Sequence, residues 1–65
     1  MNTYRIRIRN RYGYDDHYID APDPVAALED PAVASRPAFS LMGLWVLTAG
    51  TWAAGTWERI DWRAL

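Results

Sequence analysis

The sequence predicts an α+β domain, a small antiparallel sheet in β-β-α-β-β order packed against one short, proline-interrupted helix. Thr3 to Asn10 alternates apolar and polar residues with strict period two, the mark of a half-buried strand. Asp-Pro occurs at 23–24 and again at 30–31, a pairing that starts short helices. Residues 37–57 then carry no charge, as expected of a buried strand and its turn. At 65 residues the chain is read as one domain, 1–65, near the lower size limit for folding without staples.

Each element has its own local reason. In the first strand Tyr4, Ile6 and Ile8 share one face, and Arg5, Arg7 and Arg9 the other. Asn10 to Tyr14 supplies a turn, with Gly13 the natural site for positive φ. A second strand over Asp16 to Ala21 would turn His17, Ile19 and Ala21 inward. Asp16, Tyr18 and Asp20 would then lie on the arginine face. The first helix is expected over 24–30, with Asp23 capping free amides and Pro24 at the first helical position. Val25, Leu28 and Ala32 would pack on the sheet. Pro31 interrupts the helix, leaving one further turn over 31–35, and Arg36-Pro37 ends it.

Phe39 to Thr48 reads as a central strand, with Gly43 allowing a bulge or a close contact. Ala49-Gly50 is a turn. Thr56 to Trp62 alternates again, with Trp57, Arg59 and Asp61 on one side and Glu58, Ile60 and Trp62 on the other; tryptophans on both sides leave the core face open. The nine aromatics, four of them tryptophans, are expected mostly in the core. Tyr12, Tyr14 and Trp52 are the candidates to remain exposed.

Composition removes several classes of function. There is no cysteine, so disulfides and thiolate metal sites are excluded. There is one histidine, no lysine, and no evident base beside Ser35 or Ser40, so no catalytic residues are assigned. No cofactor and no metal are expected: Asp15, Asp16 and His17 are adjacent on a strand and point to opposite faces. The first apolar stretch is broken by arginine at every second residue, which leaves no hydrophobic region for a secretory leader. The uncharged stretch 37–57 is 21 residues long, about a membrane span. From Thr48 onward it holds two glycines and three threonines, so two strands and a turn fit it better.

Charge is segregated along the chain. Arg5, Arg7, Arg9 and Arg11 alternate in one stretch, and Asp15, Asp16, Asp20, Asp23, Glu29 and Asp30 follow with no basic residue among them. The net charge is only −1. The acidic block has a bland explanation in helix caps and solubility. It also has a functional one: an anionic face, with Tyr14 and Tyr18 adding packing area, that imitates phosphates and docks on a nucleic-acid-binding protein. The alternative is direct nucleic-acid binding by the Arg5/Arg7/Arg9/Arg11 column, whose spacing along a strand is close to that of successive phosphates. Cross-strand pairing with Asp16 and Asp20 would weaken that potential.

Thr3-Tyr4-Arg5-Ile6-Arg7-Ile8, then Ile19-Asp20-Ala21-Pro22-Asp23 running into Val25-Ala26-Ala27-Leu28, resembles the layout of small phage-encoded inhibitors, the anti-CRISPR proteins. The likeness covers about the first half of the chain and contains no diagnostic motif. Pro31 falls where a longer helix would be expected. The resemblance implies a non-enzymatic inhibitor that occupies a Cas subunit in the cytoplasm of a bacterial host.

Overall fold

In the computed structural model, which describes all 65 residues, strand β1 (Asn2–Asn10) is paired on both sides. On one side lies β2 (Gly13–Ala21), on the other β3 (Leu41–Ala49), and β4 (Thr56–Arg59) completes an antiparallel sheet of order β2-β1-β3-β4. Two short helices, α1 (Pro24–Leu28) and α2 (Pro31–Ala34), connect the two hairpins. The α+β architecture agrees with the sequence reading. The order is β-β-α-α-β-β, because Pro31 separates two helices and does not merely kink one.

The helices are set by their caps. The Asp23 carboxylate accepts from the Ala26 amide at 2.8 Å, and the Asp30 carboxylate from the Ala32 amide at 3.0 Å. Each helix carries proline at its first position, where the missing amide costs no intrahelical bond. Ala27 and Val33 are buried against the sheet. Val25 and Ala32, expected to pack there, are exposed: with helices of only five and four residues, the buried stripe passes through Ala27 and Val33. Leu28 is half-buried on the core, as expected.

Strand alternation builds the rest of the core. Tyr4, Ile6 and Ile8 of β1, Ala21 of β2 and Leu44 of β3 are buried with Ala27 and Val33. Ile19, Leu41, Val46, Ile60 and Trp62 pack around them, so Ile60 and Trp62 mark the inner side of the last segment. None of the four tryptophans enters the buried core, contrary to expectation. Trp45 and Trp57 sit on the opposite face of the sheet, because the registers Arg5↔Trp45 and Leu47↔Trp57 place them there.

Two strand starts differ from the sequence reading. The second strand begins at Gly13, three residues before Asp16, because the β1–β2 turn is only Arg11-Tyr12 and Gly13 adopts φ +131° to close it. The third strand begins at Leu41, because Ala38–Ser40 forms a 3₁₀ turn in which the Ser40 hydroxyl donates to the Pro37 carbonyl at 2.6 Å. Phe39 is thereby left 88% exposed. Residues 37–57 divide among this turn, β3, the following loop and the start of β4, and no helix is long and apolar enough to cross a membrane.

Leu44 is fully buried at the centre of this small core. Leu44→Ala is expected to cost about 3 kcal/mol, a large share of the roughly 5 kcal/mol at the low end of domain stabilities. Thermal unfolding followed by circular dichroism should show a large drop in midpoint. Phe39→Ala should leave the midpoint nearly unchanged.

Candidate functional site

The helices cover one face of the sheet and leave the other open. Period two sends Thr3, Arg5, Arg7 and Arg9 of β1 to the open face, with Tyr14, Asp16, Tyr18 and Asp20 of β2 beside them. The expected juxtaposition of the acids and tyrosines with the arginine strand is therefore found. Trp45 of β3 and Trp57 and Arg59 of β4 extend this face.

Its middle is a layer of guanidinium groups on indole rings. The Arg5 guanidinium carbon lies 4.4 Å from the Trp45 ring centroid and 5.0 Å from that of Trp57. Arg7 and Arg59 lie 5.2 and 5.4 Å from Trp45, and Arg7 also lies 5.5 Å from Tyr14. Each such contact contributes roughly 0.5–1 kcal/mol at exposed sites. The Arg5 Nε is buried without a hydrogen-bond acceptor, since the flanking indole rings offer only their π faces.

Gly43 makes the arrangement possible. A Cβ at this position would overlap the six-membered ring of Trp45. The β1–β3 register shifts just beyond, pairing Arg7 with Gly43 but Ile8 with Leu41, so Met42 is an extra, bulged residue. Both properties anticipated for Gly43 are present.

The arginine column is thus divided. Arg7 makes a two-pronged ion pair with Asp16, Nε to Oδ1 at 2.9 Å and Nη2 to Oδ2 at 3.2 Å, and it is the only salt bridge in the chain. The hydrogen bond from Arg7 holds the Asp16 carboxyl below the ordinary carboxylate range, partial burial opposes it, and the charges of Arg7, Arg5 and His17 add to the lowering. The same bond raises the Arg7 pKa. Arg9 and Arg11 are exposed and pair with no carboxylate, and the fold brings Arg36 beside them to line one cleft with Asn10, Ser40 and Phe39.

The acids take separate places. Asp15 is on the inner side of β2 and accepts from the Asn10 side-chain amide. Asp20 is on the open face and accepts from the Thr3 hydroxyl at 2.6 Å. Asp23 and Asp30 cap the helices, and Glu29 is exposed at the end of α1 with no side-chain hydrogen bond. His17 is half-buried on the inner face, turned away from Asp16, and its Nε2 has no partner. No three potential metal ligands come together.

Exposed aromatics gather near the acidic strand. Tyr12 and Tyr14 are exposed in and after the hairpin turn. Trp52, 61% exposed in the β3–β4 loop, has its ring 5.3 Å from Tyr18 at a tilt of 52°, and Tyr18 in turn lies 5.9 Å from Trp57. All three residues named as exposed from the sequence are exposed. The union of Trp52 with Tyr18 and Asp20 carries no signal in the sequence, because it depends on how the loop folds back over β2.

Fold and surface together define a small α+β domain with one open, arginine- and aromatic-rich sheet face and an acidic outer strand. No family model matches the chain, and no match is found among the curated proteins or the solved structures compared with it.

Asp16→Asn should lower stability by about 0.5–1 kcal/mol at neutral pH, the upper range for exposed ion pairs. The folded pKa of Asp16 is depressed, so its contribution is complete above the unfolded value of about 3.9 and is lost as the pH falls through the folded value. Urea unfolding of both proteins across the acidic range should show the difference vanish there. Gly43→Ala should displace the Trp45 ring and reduce the near-ultraviolet dichroism of the tryptophans.

Proposed function

We propose that the protein is a non-enzymatic, protein-binding inhibitor that presents an acidic edge to the basic surface of a nucleic-acid-binding protein, a Cas subunit if the anti-CRISPR resemblance is followed. The observation that carries this reading is the position of β2. It is an outer strand of the sheet, and α1 packs against it. Asp15, Asp16, Asp20, Asp23, Glu29 and Asp30 therefore lie on or beside one edge strand and the two short helices. Of these, Asp16 alone is paired with an arginine. Asp15, Asp20, Asp23 and Asp30 accept hydrogen bonds from uncharged groups.

Carboxylates that pair with no arginine steer a basic partner and offer acceptors to Arg and Lys. The outward edge of β2 adds unpaired backbone groups that a partner strand can use. Tyr14 and Tyr18 supply exposed aromatic area of the kind enriched at interface hot spots. A phage-encoded protein acting in the cytoplasm of a bacterial host is the setting this reading implies.

The test uses Asp15→Arg combined with Glu29→Arg, since neither residue caps a helix with its side chain or pairs with an arginine. The native protein should reduce target-DNA binding by a Cas effector from a panel of purified effectors. The double variant should lose that inhibition while keeping its melting temperature. Failure of the native protein to inhibit any effector, or equal inhibition by the variant, refutes the reading.

A second reading rests on the cleft of Arg9, Arg11 and Arg36, which has no carboxylate in its lining and exposed Phe39 at its side. Guanidinium groups and an aromatic ring suit single-stranded nucleic acid. Titration with single-stranded DNA at low and moderate salt should then show saturable binding that weakens steeply with salt. Arg9→Ala with Arg36→Ala should reduce both affinity and salt slope, and no binding at low salt would dismiss this reading.

A further inference from the structure

We infer that the cleft between Trp52, Tyr18 and Asp20 is a receptor for one arginine side chain of a basic partner protein. This deepens the acidic-edge reading and rests on it for the partner's class. The Trp52 and Tyr18 rings, in contact at 5.3 Å and tilted 52° to each other, both line the cleft. Asp20, Thr3 and Thr51 contribute its polar lining, and no arginine of the chain lines it. Arg5, the nearest cation on β1 by register, is held against Trp45 and Trp57.

The chemistry of this lining selects the occupant. Indole and phenol faces attract a cation by their quadrupoles, and a planar guanidinium can stack on a ring while its edge remains free to donate. Asp20 accepts from Thr3 through Oδ1, which leaves Oδ2 to receive such a donor. An arginine entering here meets a ring face and a carboxylate together. An anion meets the Asp20 charge, and a purely apolar side chain leaves that carboxylate desolvated without a partner. The cavity, about 580 Å³ and open to solvent, has room for one long side chain. Trp52, exposed on the β3–β4 loop, is one wall of the cleft.

The test is a nuclear magnetic resonance titration of the full chain, reading the four tryptophan indole N–H signals. Trp52 is assigned by its absence in Trp52→Ala. The probes are a blocked pentapeptide with a central arginine and the same peptide with citrulline, which is nearly isosteric and uncharged. The arginine peptide should shift the Trp52 signal saturably and bind at least tenfold tighter than the citrulline peptide. Asp20→Asn, which keeps an acceptor for Thr3, should weaken arginine binding at least tenfold with the fold intact. Equal binding of the two peptides, an undisturbed Trp52 signal, or undiminished binding by Asp20→Asn overturns the inference.

Failure here is separable from failure of the broader reading. Inhibition of an effector that survives Trp52→Ala and Asp20→Asn would retain the acidic edge and dismiss the arginine receptor. Arginine-selective binding without inhibition of any effector would do the reverse.

Discussion

Strand β1 is hydrogen-bonded on both sides, and its alternation has to satisfy two neighbours at once. Ile6 and Ile8 are buried while Arg5 and Arg7 stand on the open face. A slip of one residue would exchange these sets, placing guanidinium groups in the core and isoleucines in water. Such a slip would cost far more than a domain of this size has in total stability. The register is therefore fixed, and everything on the open face inherits its position from it.

Fixing the arginines fixes the tryptophans. With Arg5 opposite Trp45 and Gly43 clearing space for the indole, the open face is covered by stacked guanidinium and aromatic groups instead of a second layer of structure. This gives the large rings partial burial in a chain too short to enclose them. It also divides the positive charge: Arg5 and Arg7 are held within the layer, while Arg9, Arg11 and Arg36 remain available at one end. The acids follow on the outer strand and the helices. Charges that are separate along the sequence are thus partly interleaved in space, with Asp16 paired to Arg7 and Asp20 on the same open face.

Much of this was legible in the residues. Period two in β1, the glycine at the hairpin and the two Asp-Pro starts each follow from local stereochemistry, which a sequence displays directly. So does the sharing of one face by Arg7 and Asp16, since a tight hairpin and alternation suffice to place them. The tryptophans were not legible in the same way. Whether Trp45 and Trp57 face the core depends on the pairing of strands far apart in sequence, and hydrophobicity alone favours burial. The cleft of Trp52 with Tyr18 and Asp20 depends on a loop conformation, for which composition offers no guide. Strand β2 starts three residues before the alternation of Asp16 to Ala21 suggests, because a two-residue turn closed by Gly13 lets pairing begin at once.

The most direct measurement is the proton spectrum of the Arg5 side chain. Placed between Trp45 and Trp57, its δ-methylene protons should lie well upfield of their random-coil position and show nuclear Overhauser contacts to both indoles. They should return toward random-coil values in Trp45→Ala at a temperature where that variant remains folded. Random-coil shifts in the native protein, with no contact to either indole, would contradict the arginine–tryptophan layer and the division of charge that depends on it.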